Sequence, residues 1–258
     1  MKIVRYRAGD TVAFGSWEED GTIRRLAGPP FEGAEVTDVT DRMEDVELLA
    51  PVEPGRIFGI GLNYVSHIKE TGQPEPEFPL VFMKPTTAAI GPEAPIVYPK
   101  QGKIVHHEAE LVAVIGRTAR RVSRGQALDY VLGYTCGNDV SERTIQRAEM
   151  KAGSLVIGKG FDTFCPLGPA IVTDADPGNL DLTARVNGEM RQEINTSDLL
   201  FPVARLIEYL SEAITLLPGD VILTGTPSGV GPIVPGDTVE IELSGIGVLR
   251  NPVIAEGG

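Results

Sequence analysis

The stretch from His106 to Gly116 constrains the fold more than any other. His106-His107-Glu108-Ala109-Glu110 runs directly into Leu111-Val112-Ala113-Val114-Ile115, closed by Gly116. A β-branched apolar run with a glycine at its end reads as a buried strand. Strand side chains alternate between faces, so Glu108 and Glu110 project to the same side. Two carboxylates that close repel each other; both stay ionised only with positive charge between them, and otherwise one keeps its proton. A hard divalent cation, Mg²⁺ or Mn²⁺, resolves this with oxygen ligands and leaves positions open for water and substrate. An isolated Glu-x-Glu more often lies on a solvated edge. Here a third carboxylate, Asp139, follows another apolar stretch, Tyr130 to Asn138, and three oxygen donors make a site.

At 258 residues the chain is long enough for one large domain, alone or with a small appendage, around a substantial core. Its 23 basic and 36 acidic residues leave a net charge of −13. That balance argues against nucleic acid or an anionic membrane as partner, and any anionic substrate needs a local positive site. Cys136 and Cys165 lie in apolar surroundings without a C-x-x-C spacing, so they are expected as buried free thiols in a reducing cytoplasm. No apolar run reaches membrane-spanning length and Met1 to Val12 lacks a signal-peptide core, so the expected location is cytoplasmic.

Along the chain, Lys2–Tyr6, Thr11–Trp17 and Thr22–Leu26 read as strands, with Asp20-Gly21 as a hairpin signal. They predict a small antiparallel unit over residues 1–52, followed by the main domain over 53–258. The segment Ala27 to Ala50 shows no sustained period. Arg56 to Gly61 is a short strand whose Gly-x-Gly lacks the third glycine of a dinucleotide fingerprint, because Tyr64 takes that place. Asn63 is expected to cap a helix from Tyr64 to Glu70. On it His67 and Glu70, at i and i+3, form a histidine–carboxylate pair that could serve as a general base on a mobile lid. Leu80 to Lys84 is an apolar strand ending in a lysine. Ser123 opens a capping-box pattern for a helix through about Leu132. Ser141 begins another helix, with Arg143 and Gln146 on one face; Arg143 either neutralises Asp139 or holds a substrate carboxylate. Lys159 sits between Gly158 and Gly160, where backbone approaches a ligand closely. Pro202 to Ala213 is an amphipathic helix expected to cover a sheet. The loop Thr224 to Gly231 has neither a P-loop ending nor a nucleophile elbow, yet its backbone N–H groups and the Thr226 hydroxyl could grip a carboxylate.

Taken together, the strings GLNYVSHIKE, FMKP, HEAELVAVIG, DYVLGYTCGNDVSERTIQ, GKGFDTFCPLGP, VNGEMRQ, LLPGDVILTGTPSGVG and GIGVLRNPV resemble, in order, the fumarylacetoacetate hydrolase family. The resemblance implies a mixed β fold with some helix, the family's β-roll, preceded by a small N-terminal β unit and assembled as a homodimer. It implies Glu108, Glu110 and Asp139 as ligands of Mg²⁺ or Mn²⁺, His67 and Glu70 as the base pair, and Lys159 as a catalytic cation. Arg143, Gln146 and Thr226 would contact a small anionic keto acid, and Lys84 would line the pocket. His106 and His107 are not needed as ligands.

The implied activity is hydrolysis of a carbon–carbon bond in a 2,4-dioxo acid of the acylpyruvate or fumarylpyruvate type. The electron pair of that bond would pass into an enolate held by the cation and Lys159, with His67 activating water. The same enolate would serve decarboxylation of oxaloacetate or isomerisation of 2-hydroxyhepta-2,4-diene-1,7-dioate. A non-catalytic metal-binding subunit is the alternative from another class, and the His67–Glu70 pair argues against it.

Overall fold

The protein, described here from a computed structural model over residues 1–257, is built mainly of strands. The Ala109–Ile115 strand is buried at every position, and its alternation explains how. Ala109, Leu111, Ala113 and Ile115 enter one core, packed with Val203, Leu206, Ile207 and Leu210 of the helix Val203–Ala213 and with a five-stranded sheet. Val112 and Val114 enter a second core on the other face, shared with Ile57, Leu167, Ile171 and Leu223. A sheet covered on both sides needs no polar face, so its central strands read as continuous apolar runs.

This large sheet contains twelve strands. Its main path runs from Val36–Arg42 through Thr22–Leu26, Thr11–Trp17 and Lys2–Ala8 to Cys165–Val172, then Val131–Asn138, Ala109–Ile115, Val221–Leu223, Ile57–Gly61 and the edge strand Leu80–Lys84. The N-terminal strands join it where Lys2 and Ile3 pair with Val172 and Ile171. Val105–His107 belongs to a separate three-stranded sheet, so the chain leaves one sheet at His107 and enters the other at Ala109, with Glu108 at the crossing. Cys136 and Cys165 are buried free thiols, and burial pushes both up to about 12.

One strand lies where the sequence shows no sustained period, and two local expectations are corrected. Within Ala27 to Ala50 lies the Val36–Arg42 strand, which has no apolar period because it is the mostly exposed outer strand of its sheet. The Ser123 pattern opens only a 3-10 turn, Arg124–Tyr130, because Val131 onward is taken into the sheet beside Ala109–Ile115. Asn63 does not cap α1 (Val65–Thr71); its amide donates to the carbonyls of Thr224 at 2.7 Å and Phe201 at 3.1 Å, joining three chain segments.

Candidate metal centre and catalytic cavity

The carboxylates converge because of strand register. Ala109 is paired with Asn138, so Glu108 and Asp139 meet just beyond the ends of neighbouring strands. Asp139 N–H donates to the Glu108 carbonyl at 2.9 Å, and Glu108 N–H donates to Asn138 Oδ1 at 3.0 Å. One oxygen from each of Glu108, Glu110 and Asp139 lies within 4.8 Å of the others, and all three residues are buried.

Cations surround two of the three. Arg143 Nη2 is 2.6 Å from Glu108 Oε1, Lys159 Nζ bridges Glu108 Oε2 at 2.7 Å and Asp139 Oδ2 at 2.5 Å, and Lys84 Nζ is 2.5 Å from Asp139 Oδ1. Burial pushes the Glu108 carboxyl up, but Arg143 and Lys159 outweigh it and hold the group well below the carboxylate range. For Lys159 burial pulls down, and Asp139 with Glu108 outweighs it, so the ammonium is held more firmly charged. Glu110 has no ion pair among the described residues; it accepts only Gly225 N–H at 2.6 Å. Burial, followed by the charges of Asp139 and Glu108, pushes its carboxyl well up. A buried carboxylate without a counter-charge, beside two others, is the donor set that a hard divalent cation fits.

Helix α1 brings the other half of the site. His67 Nδ1 is 2.9 Å from Glu70 Oε2, and the other Glu70 oxygen accepts Gly229 N–H at 3.0 Å. A carboxylate only accepts, so in the neutral imidazole Nδ1 carries the proton and Nε2 the lone pair. His67, Glu108, Asp139, Arg143, Gln146, Lys159 and Thr226 all line one cavity of about 1020 Å³. Gln146 Oε1 accepts from Arg143 Nη1 at 2.8 Å and so orients the guanidinium. Lys84 departs from expectation. It is not among the lining residues; its fully buried ammonium is taken by Asp139 and the Val140 carbonyl, which places it behind the carboxylate. His106 lines the cavity whereas His107 is buried away from it, and burial pushes both down to about 4.

Sequence reasoning passed over Gln192. Its amide donates to Thr226 Oγ1 and to the Pro227 carbonyl, both at 2.9 Å, while its oxygen accepts Ala109 N–H at 3.0 Å. It thereby pins the glycine-rich loop to the strand that carries Glu110. A polar residue inside the VNGEMRQ string was the only signal.

Two members of the buried carboxylate triad, Glu108 and Asp139, share one cavity with His67 of the histidine–glutamate pair, an arrangement of the class that could hold a divalent metal beside a proton-transfer group. The chain belongs to the fumarylacetoacetate hydrolase family. Residues 56–254 match the family described as fumarylacetoacetate (FAA) hydrolase C-terminal, and residues 1–51 match Rv2993c-like, N-terminal. The chain is 45% identical to Protein Rv2993c of Mycobacterium tuberculosis, covering 100% of this chain and 99% of that protein. It is 42% identical to the mitochondrial oxaloacetate tautomerase fahd2 of Xenopus laevis, over 81% of this chain and 69% of that protein. Among solved structures, 5-carboxymethyl-2-hydroxymuconate delta-isomerase from Mycobacterium smegmatis superposes with a TM-score of 0.93 at 48% identity, covering 99% and 100% of the two chains. The 2-hydroxyhepta-2,4-diene-1,7-dioate isomerase of Mycobacterium marinum gives 0.91 at 44%, covering 100% of each. Members of the family are enzymes, and the acidic triad could hold the divalent metal typical of them. No helix among the described residues is long and apolar enough to cross a membrane.

Proposed function

We propose that this protein enolises small 2-oxo acids, acting as a tautomerase or isomerase. The observation that carries this reading is His67, whose Nδ1 is held by Glu70 and whose Nε2 lone pair is free to take a proton inside the cavity that Glu108 and Asp139 also line. A divalent cation held by Glu108, Glu110 and Asp139 would supply Lewis-acid polarisation of the 2-oxo oxygen. His67 Nε2 removes a proton from the carbon next to that carbonyl, and the electron pair moves onto the oxygen. Lys159, kept charged between Glu108 and Asp139, faces the developing negative charge. His67 then returns the proton to oxygen, or further along a conjugated chain. The similarity to proteins named as an oxaloacetate tautomerase and as isomerases supports this order of readings.

Hydrolysis of an acylpyruvate or fumarylpyruvate is the second reading, supported by the same histidine. There His67 takes its proton from water, the oxygen bonds to the distal carbonyl carbon, and the carbon–carbon bond breaks with its electrons passing into the pyruvate enolate. The residues 1–52 are proposed as a distinct N-terminal unit, and the protein as a homodimer. The exposed Leu80, Val81 and Met83 on the edge strand Leu80–Lys84 support self-association, since an apolar edge is a ready pairing surface.

The test is a set of rates with added Mg²⁺ or Mn²⁺: keto–enol interconversion of oxaloacetate, and loss of acylpyruvate and fumarylpyruvate. Faster enolisation supports the first reading; faster carbon–carbon cleavage reverses the order.

A further inference from the structure

We infer that Arg147 reads a second, distal carboxylate and so makes the site selective for 2-oxo dicarboxylates over 2-oxo monocarboxylates of equal length. This rests on the cavity being a 2-oxo acid site. Helix α2 (Arg143–Lys151) presents Arg143, Gln146, Arg147 and Met150 to the cavity, positions i, i+3, i+4 and i+7 of one helical face. The first two are committed to the metal end, Arg143 to Glu108 and Gln146 to Arg143. Lys159, the third cation of the wall, is spent on Glu108 and Asp139. Arg147 alone among the arginines and lysines lining the cavity has no side-chain hydrogen bond or ion pair with any described residue.

Position gives the distance. Four residues along a helix is a rise of about 6 Å, so Arg147 stands about one turn beyond the guanidinium that marks the carboxylate cluster. His106 lines the same cavity. Elsewhere the wall carries no further cation: Phe78 stacks against Tyr209 at 6.4 Å between ring centres, and Thr71, Gln73 and Thr226 are neutral. A ligand whose first carboxylate and 2-oxo group sit at the triad therefore meets one uncommitted guanidinium, whose planar fork matches a carboxylate. In a chain of net charge −13 such a local cation is what an anionic distal group requires.

The experiment compares 2-oxoadipate with 2-oxohexanoate, which differ only in the distal carboxylate, by calorimetric titration into Mg²⁺-loaded protein, with oxalate as a probe of the metal end. Wild type should bind 2-oxoadipate more tightly than 2-oxohexanoate. Arg147→Leu should weaken 2-oxoadipate about tenfold or more and leave 2-oxohexanoate and oxalate within about twofold, and Arg147→Lys should restore part of the difference. Equal losses for both oxo acids, or no loss for either, overturn the assignment of Arg147 alone. Failure of oxalate to bind wild type overturns the reading of the metal end and this inference with it.

Discussion

Asp198 accepts the backbone N–H of Ser66 at 2.9 Å, so a side chain from the 3-10 turn Thr196–Asp198 caps the first turn of α1. The helix has seven residues and its own N-cap, Tyr64, supplies no side-chain bond. Helices this short are marginal in water, and a cap contributes about 1 kcal/mol. Asp198→Ala should therefore speed hydrogen exchange of amides 66–71 about fivefold, and lower kcat through misplacement of His67 while metal affinity holds. Asp198→Asn, which keeps an acceptor, should restore most of the protection. Unchanged exchange in Asp198→Ala would remove the cap from the account.

Glu110 is the carboxylate of the triad with no cation of its own among the described residues, so it tests the proposed metal centre most cleanly. Glu110→Gln keeps an acceptor for Gly225 N–H and removes the like-charge repulsion. Calorimetric titration of chelator-treated protein should show Mg²⁺ and Mn²⁺ affinity reduced by more than about 100-fold, beyond the loss typical of an outer-shell partner. The melting temperature without metal should be equal to or above wild type. Undiminished metal affinity would rule Glu110 out as a ligand.

His67→Ala should lose roughly 10² or more in turnover yet keep Mg²⁺ and oxalate binding, because among the described residues the side-chain partner of His67 is Glu70 and not a member of the carboxylate triad. Glu70→Gln should lose less, since an amide oxygen still accepts from Nδ1. A His67→Ala protein of normal kcat would place the base elsewhere.

Acid stability has a local origin in the N-terminal strands. Asp41 accepts Tyr6 Oη at 2.6 Å and Arg25 Nη2 at 2.9 Å, and the tyrosine bond, helped by Arg25 and opposed by burial, holds its carboxyl below the usual value. A depressed folded value means stability that is present at neutral pH and is lost as pH falls below about 4 through the folded value. Asp41→Asn should cost about 1–3 kcal/mol at pH 7, and its gap from wild type, followed by thermal melts, should close below pH 4. A gap independent of pH would assign the cost to packing.

Val81→Lys, on the exposed edge strand, should shift sedimentation from dimer to monomer, because a charge on an apolar edge blocks pairing. Sedimentation of wild type as a monomer would withdraw the dimer.

The convergence of Glu108, Glu110 and Asp139 was legible because it follows from alternation in one strand and a polar break after the next. His67 with Glu70 was legible for a similar reason, being an i, i+3 pair on one short helix. What escaped were bonds between distant segments. Gln192 to Thr226 joins the strand Glu189–Asn195 to the glycine-rich loop, Asp198 to Ser66 joins a turn to a helix, and neither leaves a period in the sequence. Asn63 and Ser123 carried sound local signals that tertiary bonding and strand pairing overrode, and Lys84, expected to line the pocket, instead pairs with Asp139 away from the cavity lining.

The glycine-rich loop touches both halves of the site through its backbone. Gly225 N–H holds Glu110 and, four residues on, Gly229 N–H holds Glu70. Coordination that repositions Glu110 therefore pulls on the same short strap that steadies the proton-transfer pair. Free energies of this kind are reciprocal: by whatever factor cation binding favours an ordered α1, ordering α1 strengthens cation binding. Substitutions within Gly225 to Gly229 are then expected to change metal affinity and helix order together, as one linked quantity.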